Sequence, residues 1–392
     1  AVYWVKGEEV KRLPLARTPN WEWQSEDYLA EWWQWTNDKK PFKKPHEDGP
    51  VAYDSKHVQG RAPSYFEGAV IRSEFGWVMG TPYPARIQEV KPETGGVYFT
   101  KWSGGPRASI IFRGMRYYVE DKPHYLDDPK GEFWFDKKGS GGRLYLRLPN
   151  GKNPNELRIE VAKHPVQIEG RDVANLHISG LRFRFTMSFW DLTVKAWDFR
   201  TTPFGHNLKA NPASIRIWGD GDNIRLANNR FEHVTMPIVM VATTTPNKEK
   251  GKKLRNILIE DNVFEHTDTG VIDLSNGAGW GYLKREGYLD DVRIYRNKAY
   301  HCGFRPDRYR RGTAINLQGA SQLHVAGNIL EFLGGQGINT HSGKNFAWGA
   351  FPLTRILIHQ NKVFRSLQIT NDFGAIEHWA DGPAYIFDNI TY

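Results

Sequence analysis

The sequence predicts an all-β protein whose second half is a right-handed parallel β-helix, with about six to seven coils, preceded by a β-rich N-terminal region. A short apolar motif that ends in asparagine recurs through the second half. The segments between the copies alternate apolar and polar residues and lack the 3.6-residue spacing of an amphipathic helix. Together these observations favour stacked short strands over helical repeats.

The repeated motif is an alternating apolar strand, an asparagine and a second apolar pair. It occurs at 224–233, 257–266, 292–301, 323–332 and 356–365. The asparagines are Asn229, Asn262, Asn297, Asn328, Asn361 and Asn389, separated by 33, 35, 31, 33 and 28 residues. An earlier copy at 176–185 carries Gly180 at the same place. Because an amide both donates and accepts, we expect a ladder of stacked asparagines.

A second strand follows each copy of the motif, at 213–218, 236–241, 270–275, 313–318, 337–342 and 375–380. Alternation directs every second residue of such a strand inward. The predicted core column is Ile215, Ile238, Ile272, Ile315, Ile338 and Ile376. The two predicted outer columns are Arg216, Val239, Asp273, Asn316, Asn339 and Glu377, and Trp218, Val241, Ser275, Gln318, His341 and Trp379.

The first half shows no repeat and holds most of the 15 tryptophans. We expect residues 1–170 to form a β-rich cap, with a short helix at 25–35 that begins at Ser25. Residues 171–392 form the predicted β-helix. The chain begins at Ala1, so we expect a mature or trimmed chain. It stops at Tyr392 within a predicted coil, so we expect either a piece of a longer protein or other chain segments that cover the open edge.

Composition narrows the function. The net charge is +9 and aromatic residues make up 14% of the chain, which suits nucleic acid and acidic polysaccharide equally. No nucleic-acid-binding motif and no apolar run long enough for a membrane span is visible, so we expect neither partner. A single cysteine, Cys302, excludes an internal disulfide. We expect no cofactor; calcium is compatible with the sequence but nothing in it indicates a calcium site. We expect an extracellular or periplasmic location. The oligomeric state is left open.

The outer columns and their flanking loops predict a glycan-binding groove. Aromatic rings stack on the apolar faces of sugars, while amides and charged groups bind hydroxyls and acidic groups. The predicted substrate-binding residues are Arg216, Trp218, Asn316, Gln318, Asn339, His341, Trp379, Trp280, Arg308, Arg310 and Lys344. A plain solvated sheet face is the alternative. The column His233, His266 and His301 is more typical of stacked structural histidines than of a metal site, because a straight ladder does not surround a cation.

Glycoside hydrolysis needs two carboxyl groups, about 5–5.5 Å apart for retention or about 6.5–9.5 Å for inversion. Asp273 and Glu377 lie three predicted rungs apart, or about 14 Å, which is too far for a pair. Each therefore needs a partner from a loop. The candidates are Asp268 or Asp307 for Asp273, and Asp372 or Asp381 for Glu377.

Two other functional classes stay open. A polysaccharide lyase would neutralise a uronate with basic residues and remove its C5 proton with a base. The loop 305–312 offers Arg305, Arg308, Tyr309, Arg310 and Arg311, with His341 and Lys344 on the next predicted coil. A non-catalytic glycan-binding β-helix would have the same groove without an acid pair.

Three segments of the first half, at 13–21, 65–87 and 124–151, resemble segments that precede the coils in bacterial, pectin-lyase-like β-helix proteins that act on carbohydrates. The segment 124–151 is similar to a phrase of glycosidases in families 120 and 141. The matching residues are Leu126, Asp127, Pro129, Gly131, Glu132, Asp136, Leu144, Tyr145 and Pro149, with Lys130 as an insertion. The resemblance implies the β-helix and a glycan substrate, but it matches no catalytic motif.

Overall fold

The computed structural model divides the chain into two compact units, Ala1–Ala162 and Lys163–Tyr392, where the sequence places the boundary at residue 170. It describes residues 1–21, 31–37, 51–75, 78–99, 111–139, 141–187, 212–242, 252–275, 287–305, 312–341, 355–370, 372–379 and 383–392. The described residues contain strands and short 3-10 turns but no α-helix. None of their helical segments is long and apolar enough to cross a membrane.

The first unit is built from antiparallel strands. They are β1 (Val2–Lys6), β2 (Glu9–Leu13), β3 (Arg17–Thr18), β4 (Trp33–Gln34), β5 (Val51–Tyr53), β6 (Val70–Phe75), β7 (Val78–Lys91), β8 (Gly96–Phe99), β9 (Arg116–Glu120), β10 (Glu132–Lys138), β11 (Gly141–Arg147) and β12 (Arg158–Val161). The 3-10 turns are Pro63–Tyr65, Pro123–Tyr125, Pro149–Gly151 and Pro154–Glu156.

Three sheets form from these strands: β12-β1-β2, the hairpin β10-β11, and β3-β9-β6-β7-β8-β5 with β4 also paired to β9. Buried ion pairs brace the largest sheet. Arg72 Nε donates to Glu120 Oε1 over 2.6 Å, and Arg116 binds Glu74 through its side chain and its backbone N–H. Such pairs suit a buried site because each charge meets its counterion in hydrogen-bonding geometry.

The helix predicted at 25–35 is wrong in its last part, and residues 25–30 lie outside the described residues. Trp33 and Gln34 form β4, which pairs antiparallel with Tyr117 and Arg116 of β9. The ring of Trp35 is buried and stacks on Tyr117 at 3.8 Å between centroids. Pairing and burial of these aromatic residues therefore override the local helical pattern.

The second unit consists of parallel strands. They are β13 (Val166–Ser179), β14 (Arg182–Arg184), β15 (Ala213–Ala227), β16 (Arg230–Glu232), β17 (Ile238–Val241), β18 (Lys252–Glu260), β19 (Val263–Thr267), β20 (Ile272–Ser275), β21 (Gly287–Tyr295), β22 (Lys298–Cys302), β23 (Ile315–Gln318), β24 (Gln322–Ala326), β25 (Ile329–Leu333), β26 (Ile338–His341), β27 (Arg355–His359), β28 (Lys362–Phe364), β29 (Ile376–Trp379), β30 (Ala384–Phe387) and β31 (Ile390–Thr391).

These strands form three parallel ladders. Ladder 1 is β13-β15-β17-β20-β23-β26-β29, ladder 2 is β13-β15-β18-β21-β24-β27-β30, and ladder 3 is β14-β16-β19-β22-β25-β28-β31. The long strands β13 and β15 run through both of the first two ladders. Each repeat of the chain thus adds one rung to each ladder, as the repeated motif predicts.

The predicted core column is confirmed. Ile215, Ile238, Ile272, Ile315, Ile338 and Ile376 are paired in register along ladder 1. The first five are fully buried and belong to one apolar core with residues from the other two ladders. Because a slip by one residue would turn this column outward, the isoleucines fix the register of the whole sheet.

The predicted asparagine ladder is also confirmed. Asn262 donates its backbone N–H and its Nδ2 to Asn297 Oδ1, over 3.1 and 3.0 Å. Its Nδ2 also donates to the carbonyl oxygen of Leu226. The same pattern links all the predicted members, Asn229, Asn262, Asn297, Asn328, Asn361 and Asn389. The buried corner after ladder 2 is therefore satisfied by side-chain amides.

The assignment of Gly180 to the asparagine position is wrong by one residue. Since Ser179 pairs with Ala227 and Arg182 with Arg230, Gly180 matches Asn228 and Leu181 matches Asn229. Gly180 and Asn228 both have positive φ, 70° and 56°. The chain turns through the left-handed region here, which glycine and asparagine adopt most readily.

The predicted histidine stack lies at the corner after ladder 3. His233 and His266 stack with ring centroids 4.9 Å apart, and His266 lies 5.0 Å from His301 at an angle of 53°. By register, Phe185 precedes and Phe332 follows the three histidines. Burial lowers the pKa of His266, and burial together with His266 lowers the pKa of His301 to about 3.

Protonation of this corner is expected to destabilise the protein. The pKa of His301 is lower in the folded chain than its ordinary 6.5, so its contribution to stability is complete above pH 6.5 and declines as the pH falls towards 3. The loss is on the order of 4 kcal/mol. His301→Phe, which copies Phe332 of the next rung, should remove part of the acid sensitivity in urea unfolding between pH 7.5 and 4. Replacing the exposed His164 with Gln should not. Equal pH profiles for both variants and the parent would contradict the prediction.

Candidate functional site

The two outer columns of ladder 1 carry the predicted site, and their register is as expected. Asp273 pairs with Asn316, Asn316 with Asn339, and Asn339 with Glu377. In the second column, Ser275, Gln318, His341 and Trp379 follow one another in the same way. The polar side chains predicted for the groove therefore do lie on one face of one sheet.

Burial along this face is uneven. Asp273 is 1% exposed and His341 4%, whereas Trp379 is 40% exposed. The apolar residues Val239 and Val241 pack with Ala213 and Met236, and Trp218 lies against them. The rungs around Asp273 are therefore covered rather than open to solvent, and a charged residue is seldom buried without a specific role or partner.

Asp273 heads a chain of side-chain hydrogen bonds. Asn316 Nδ2 donates to Asp273 Oδ1 over 3.1 Å, and Asn339 Nδ2 donates to Asn316 Oδ1 over 2.9 Å. Beside it, Ser275 and Gln318 are linked over 3.4 Å. A carboxylate oriented by amides of the neighbouring rungs has the fixed position that acid–base catalysis requires.

Asp268 is fully buried in the turn between β19 and β20. Its backbone N–H donates to the carbonyl oxygens of Val234 and Thr235, and its own carbonyl oxygen accepts from the N–H of Arg305 over 2.8 Å. The start of the predicted basic loop therefore lies against this turn. Both carboxyl groups are thus buried, with Asp268 four residues before the start of β20 and Asp273 the second residue of that strand.

The close approach of backbones at this turn explains Gly270. A Cβ at this position would come within 2.4 Å of the Thr313 carbonyl oxygen. The φ of Gly270, 155°, is also one that other residues seldom adopt. Glycine therefore lets the segment from Asp268 to Asp273 press against the next repeat.

Glu377 lies in the last described rung of ladder 1 and is half-buried. Gln336 Nε2 donates to one of its carboxylate oxygens and Trp379 Nε1 donates to the other. Gln336 is in turn held by Thr313, whose hydroxyl donates to Gln336 Oε1 over 3.0 Å. Gln336 is not among the residues predicted from the sequence, where it is recognisable only as the residue before a strand that begins with Gly337.

At the other end of the face, the outer columns begin one rung earlier than predicted. Glu169 and Arg171 of β13 pair with Arg216 and Trp218. Glu169 Oε1 accepts from Arg216 Nη2 over 2.7 Å and from Trp218 Nε1 over 3.2 Å. The guanidinium of Arg171 lies 4.7 Å from the Trp218 ring. Placing the boundary at residue 170 hid this rung, although 166–171 has the same alternation as 213–218.

Asp372 differs from Asp268 although the two share a place in the repeat. It is exposed, and its Oδ1 accepts from the N–H of Phe373 over 3.0 Å. This bond joins the carboxylate to the backbone of the adjacent residue only. Of the two predicted partner carboxylates that the structure describes, Asp268 is therefore the buried one.

Several predicted residues lie outside the described part of the chain: Asp307, Arg308, Arg310, Lys344, Trp280 and Asp381. Their roles stay predictions. Among the residues that the structure does describe, no group of three or more His, Cys, Asp or Glu side chains is arranged to hold a metal ion.

The fold defines the class: an all-β protein with ladders of parallel strands and a buried carboxylate on the outer face of one ladder. A solved structure described as "Glycoside hydrolase" is similar to it, with a TM-score of 0.53, 12% identity and coverage of 89% of this chain. The chain spans 66% of the length of that structure. At this identity the likeness shows the fold. No protein-family model and no curated protein matches the chain.

Proposed function

We propose that this protein is a glycoside hydrolase that cleaves an acidic polysaccharide or oligosaccharide bound along the outer face of ladder 1. In this proposal the three ladders wind as a right-handed parallel β-helix, of the kind found in glycosidase families 120 and 141. The protein is proposed to be extracellular or periplasmic. The observation that carries the proposal is the buried, hydrogen-bonded carboxylate of Asp273 on an otherwise sugar-compatible face.

Asp273 and Asp268 are the proposed pair of catalytic carboxyl groups. Both are buried, and each is held by the fold: Asp273 by Asn316, and Asp268 by a turn bonded to Val234, Thr235 and Arg305. One would protonate the glycosidic oxygen while the other attacks the sugar or activates a water. Glu377 is the proposed alternative centre, with Trp379 beside it as a stacking surface for a sugar ring.

The substrate class rests on charge and on side-chain type. The chain carries a net charge of +9, and on the described face Arg171 lies over the Trp218 ring at one end, beside Arg216, which is paired with Glu169. Cations recognise uronate or sulfate groups, and indole rings offer the apolar surface on which sugars stack. The same set of residues would also serve a polysaccharide lyase, with His341 as a candidate base.

Product analysis separates these classes. Incubation with a panel of uronate-containing and sulfated polysaccharides is expected to release reducing ends without the ultraviolet absorbance of an unsaturated uronate. An absorbing product would replace hydrolysis with β-elimination. Binding without any depolymerisation across the panel would make the protein a glycan-binding module. A neutral glucan of the same chain length is the control for the acidic substrate class.

A further inference from the structure

A second feature of the molecule, in the first unit and separate from ladder 1, brings aromatic and cationic side chains together at the surface. Its members come from three segments of the chain: Trp33, the stretch from His57 to Tyr65 that includes Arg61, and His124. We name this set the Arg61 patch. Trp33, His57 and Tyr65 are half-buried, while Arg61 and His124 are exposed.

A buried acid anchors the patch. Asp54 is fully buried and accepts hydrogen bonds from the hydroxyl of Tyr117, from His57 Nδ1 over 2.8 Å and from two backbone N–H groups. Burial, with Asp54 as the next cause, raises the pKa of Tyr117 well above its usual value, so its hydroxyl stays a donor. Since Asp54 takes Nδ1 of His57, the nitrogen left for another partner is Nε2.

The rings are fixed in position. The His57 imidazole lies parallel to the Trp33 indole, with centroids 4.7 Å apart and planes 7° from each other. Trp33 meets Phe66 and Tyr117 edge to face. Tyr65 packs against His124 at 4.8 Å, and His124 Nε2 lies 2.9 Å from the Tyr65 carbonyl oxygen. Preorganised rings lose little conformational entropy when a ligand binds.

Arg61 supplies the charge. Its guanidinium carbon lies 5.0 Å from the centre of the Tyr65 ring and 5.9 Å from that of Trp33. Among the described residues no carboxylate is paired with it, in contrast to Arg72 and Arg116, which bind Glu120 and Glu74. A guanidinium that lies near aromatic rings rather than against a carboxylate keeps its donors for a planar anion such as a carboxylate.

We propose that the Arg61 patch is an accessory binding site for a uronate unit of an acidic glycan. In this proposal the guanidinium of Arg61 binds the carboxylate in a bidentate pair, His57 Nε2 bonds a neighbouring sugar oxygen, and the sugar ring packs against the half-buried aromatic rings beside them. The choice of a uronate as the ligand rests on the proposed function. Its location rests on the patch alone.

The test measures binding of tetragalacturonate to the full chain by calorimetry, and maps it by hydrogen exchange. Arg61→Ala is expected to weaken binding about tenfold or more, which corresponds to the loss of one charge-assisted hydrogen-bonded pair. Arg143→Ala, which removes an equal charge from the exposed hairpin β10-β11, should leave the affinity at the parental value. Arg61→Lys keeps the charge without the fork and should fall between.

Exchange protection of the peptide that spans residues 57–65, lost in Arg61→Ala, is the expected result. If that protection occurs but no glycan is hydrolysed, the accessory site is supported and the proposed hydrolase activity is contradicted. If hydrolysis occurs and Arg61→Ala binds like Arg143→Ala, the accessory site is overturned and the hydrolase stands. Equal affinity for a single-stranded oligonucleotide of the same charge would also overturn the uronate site, since it would show a general attraction for anions.

Discussion

Replacing Asp273 with asparagine is expected to lower kcat on the acidic glycan about 10²–10⁴-fold, the usual contribution of a positioned acid or base. The change removes the ionisable group but keeps an oxygen that can accept from Asn316 Nδ2, as Asp273 does now over 3.1 Å. The fold around β20 should therefore survive. Initial rates at saturating substrate, with thermal unfolding in parallel, check both parts of the prediction.

Asp388→Asn is the matched control for this variant. Asp388 is exposed and sits at a turn with a φ of 52°, a conformation that asparagine adopts readily. The same chemical substitution at that position should leave kcat within twofold of the parent.

Glu377→Gln separates the two proposed centres. Full activity of Asp273→Asn with loss of activity in Glu377→Gln would move the reaction to the end of ladder 1, next to Trp379. Full activity in both variants, with both folded, would show that neither carboxylate carries the reaction.

Periodicity made the architecture of the second unit predictable. When equivalent strands of successive repeats stack in register, the residues that point into the core must be apolar in every repeat. A buried corner must likewise carry, in every repeat, a side chain that hydrogen-bonds its backbone groups. The isoleucine column meets the first requirement and the asparagine ladder meets the second, and both are visible as repeats in the sequence. Gly180 does not occupy the asparagine position, because the feature that all repeats share is the positive φ of the residue before that position.

Burial on the outer face was not predictable in the same way. The alternation of residues along the strand predicts that Asp273 points away from the core, but it does not predict what covers the outer face of the sheet. The structure shows Asp273 buried and Glu377 only partly so, although they share a column. The helix expected near Trp33 failed for a related reason, since its pairing partner, Tyr117, is more than eighty residues away in the sequence.

A different kind of loss is expected when the asparagine ladder is cut in its middle. Asn297→Ala should lower the free energy of unfolding by about 3–5 kcal/mol. Asn297 is 1% exposed, and its Oδ1 accepts both the backbone N–H and the Nδ2 of Asn262. Its Nδ2 donates to the Ile259 carbonyl oxygen and to Asn328 Oδ1. Alanine therefore removes the acceptor of the Asn262 backbone N–H and the donor to the Ile259 carbonyl oxygen, both in the preceding repeat, whereas Asn328 Oδ1 keeps the backbone N–H of residue 297.

The same substitution at Asn389 is the control. Asn389 also accepts hydrogen bonds from the preceding asparagine, Asn361. However, Asn389 is half-buried, so water can replace its amide. Its loss should cost only about 1 kcal/mol. Urea unfolding followed by tryptophan fluorescence and far-ultraviolet circular dichroism measures both variants. Equal midpoints for Asn297→Ala and Asn389→Ala would mean that the buried amides are not a source of stability. A large difference would show that the ladder stabilises the stacked repeats through its buried, hydrogen-bonded amides.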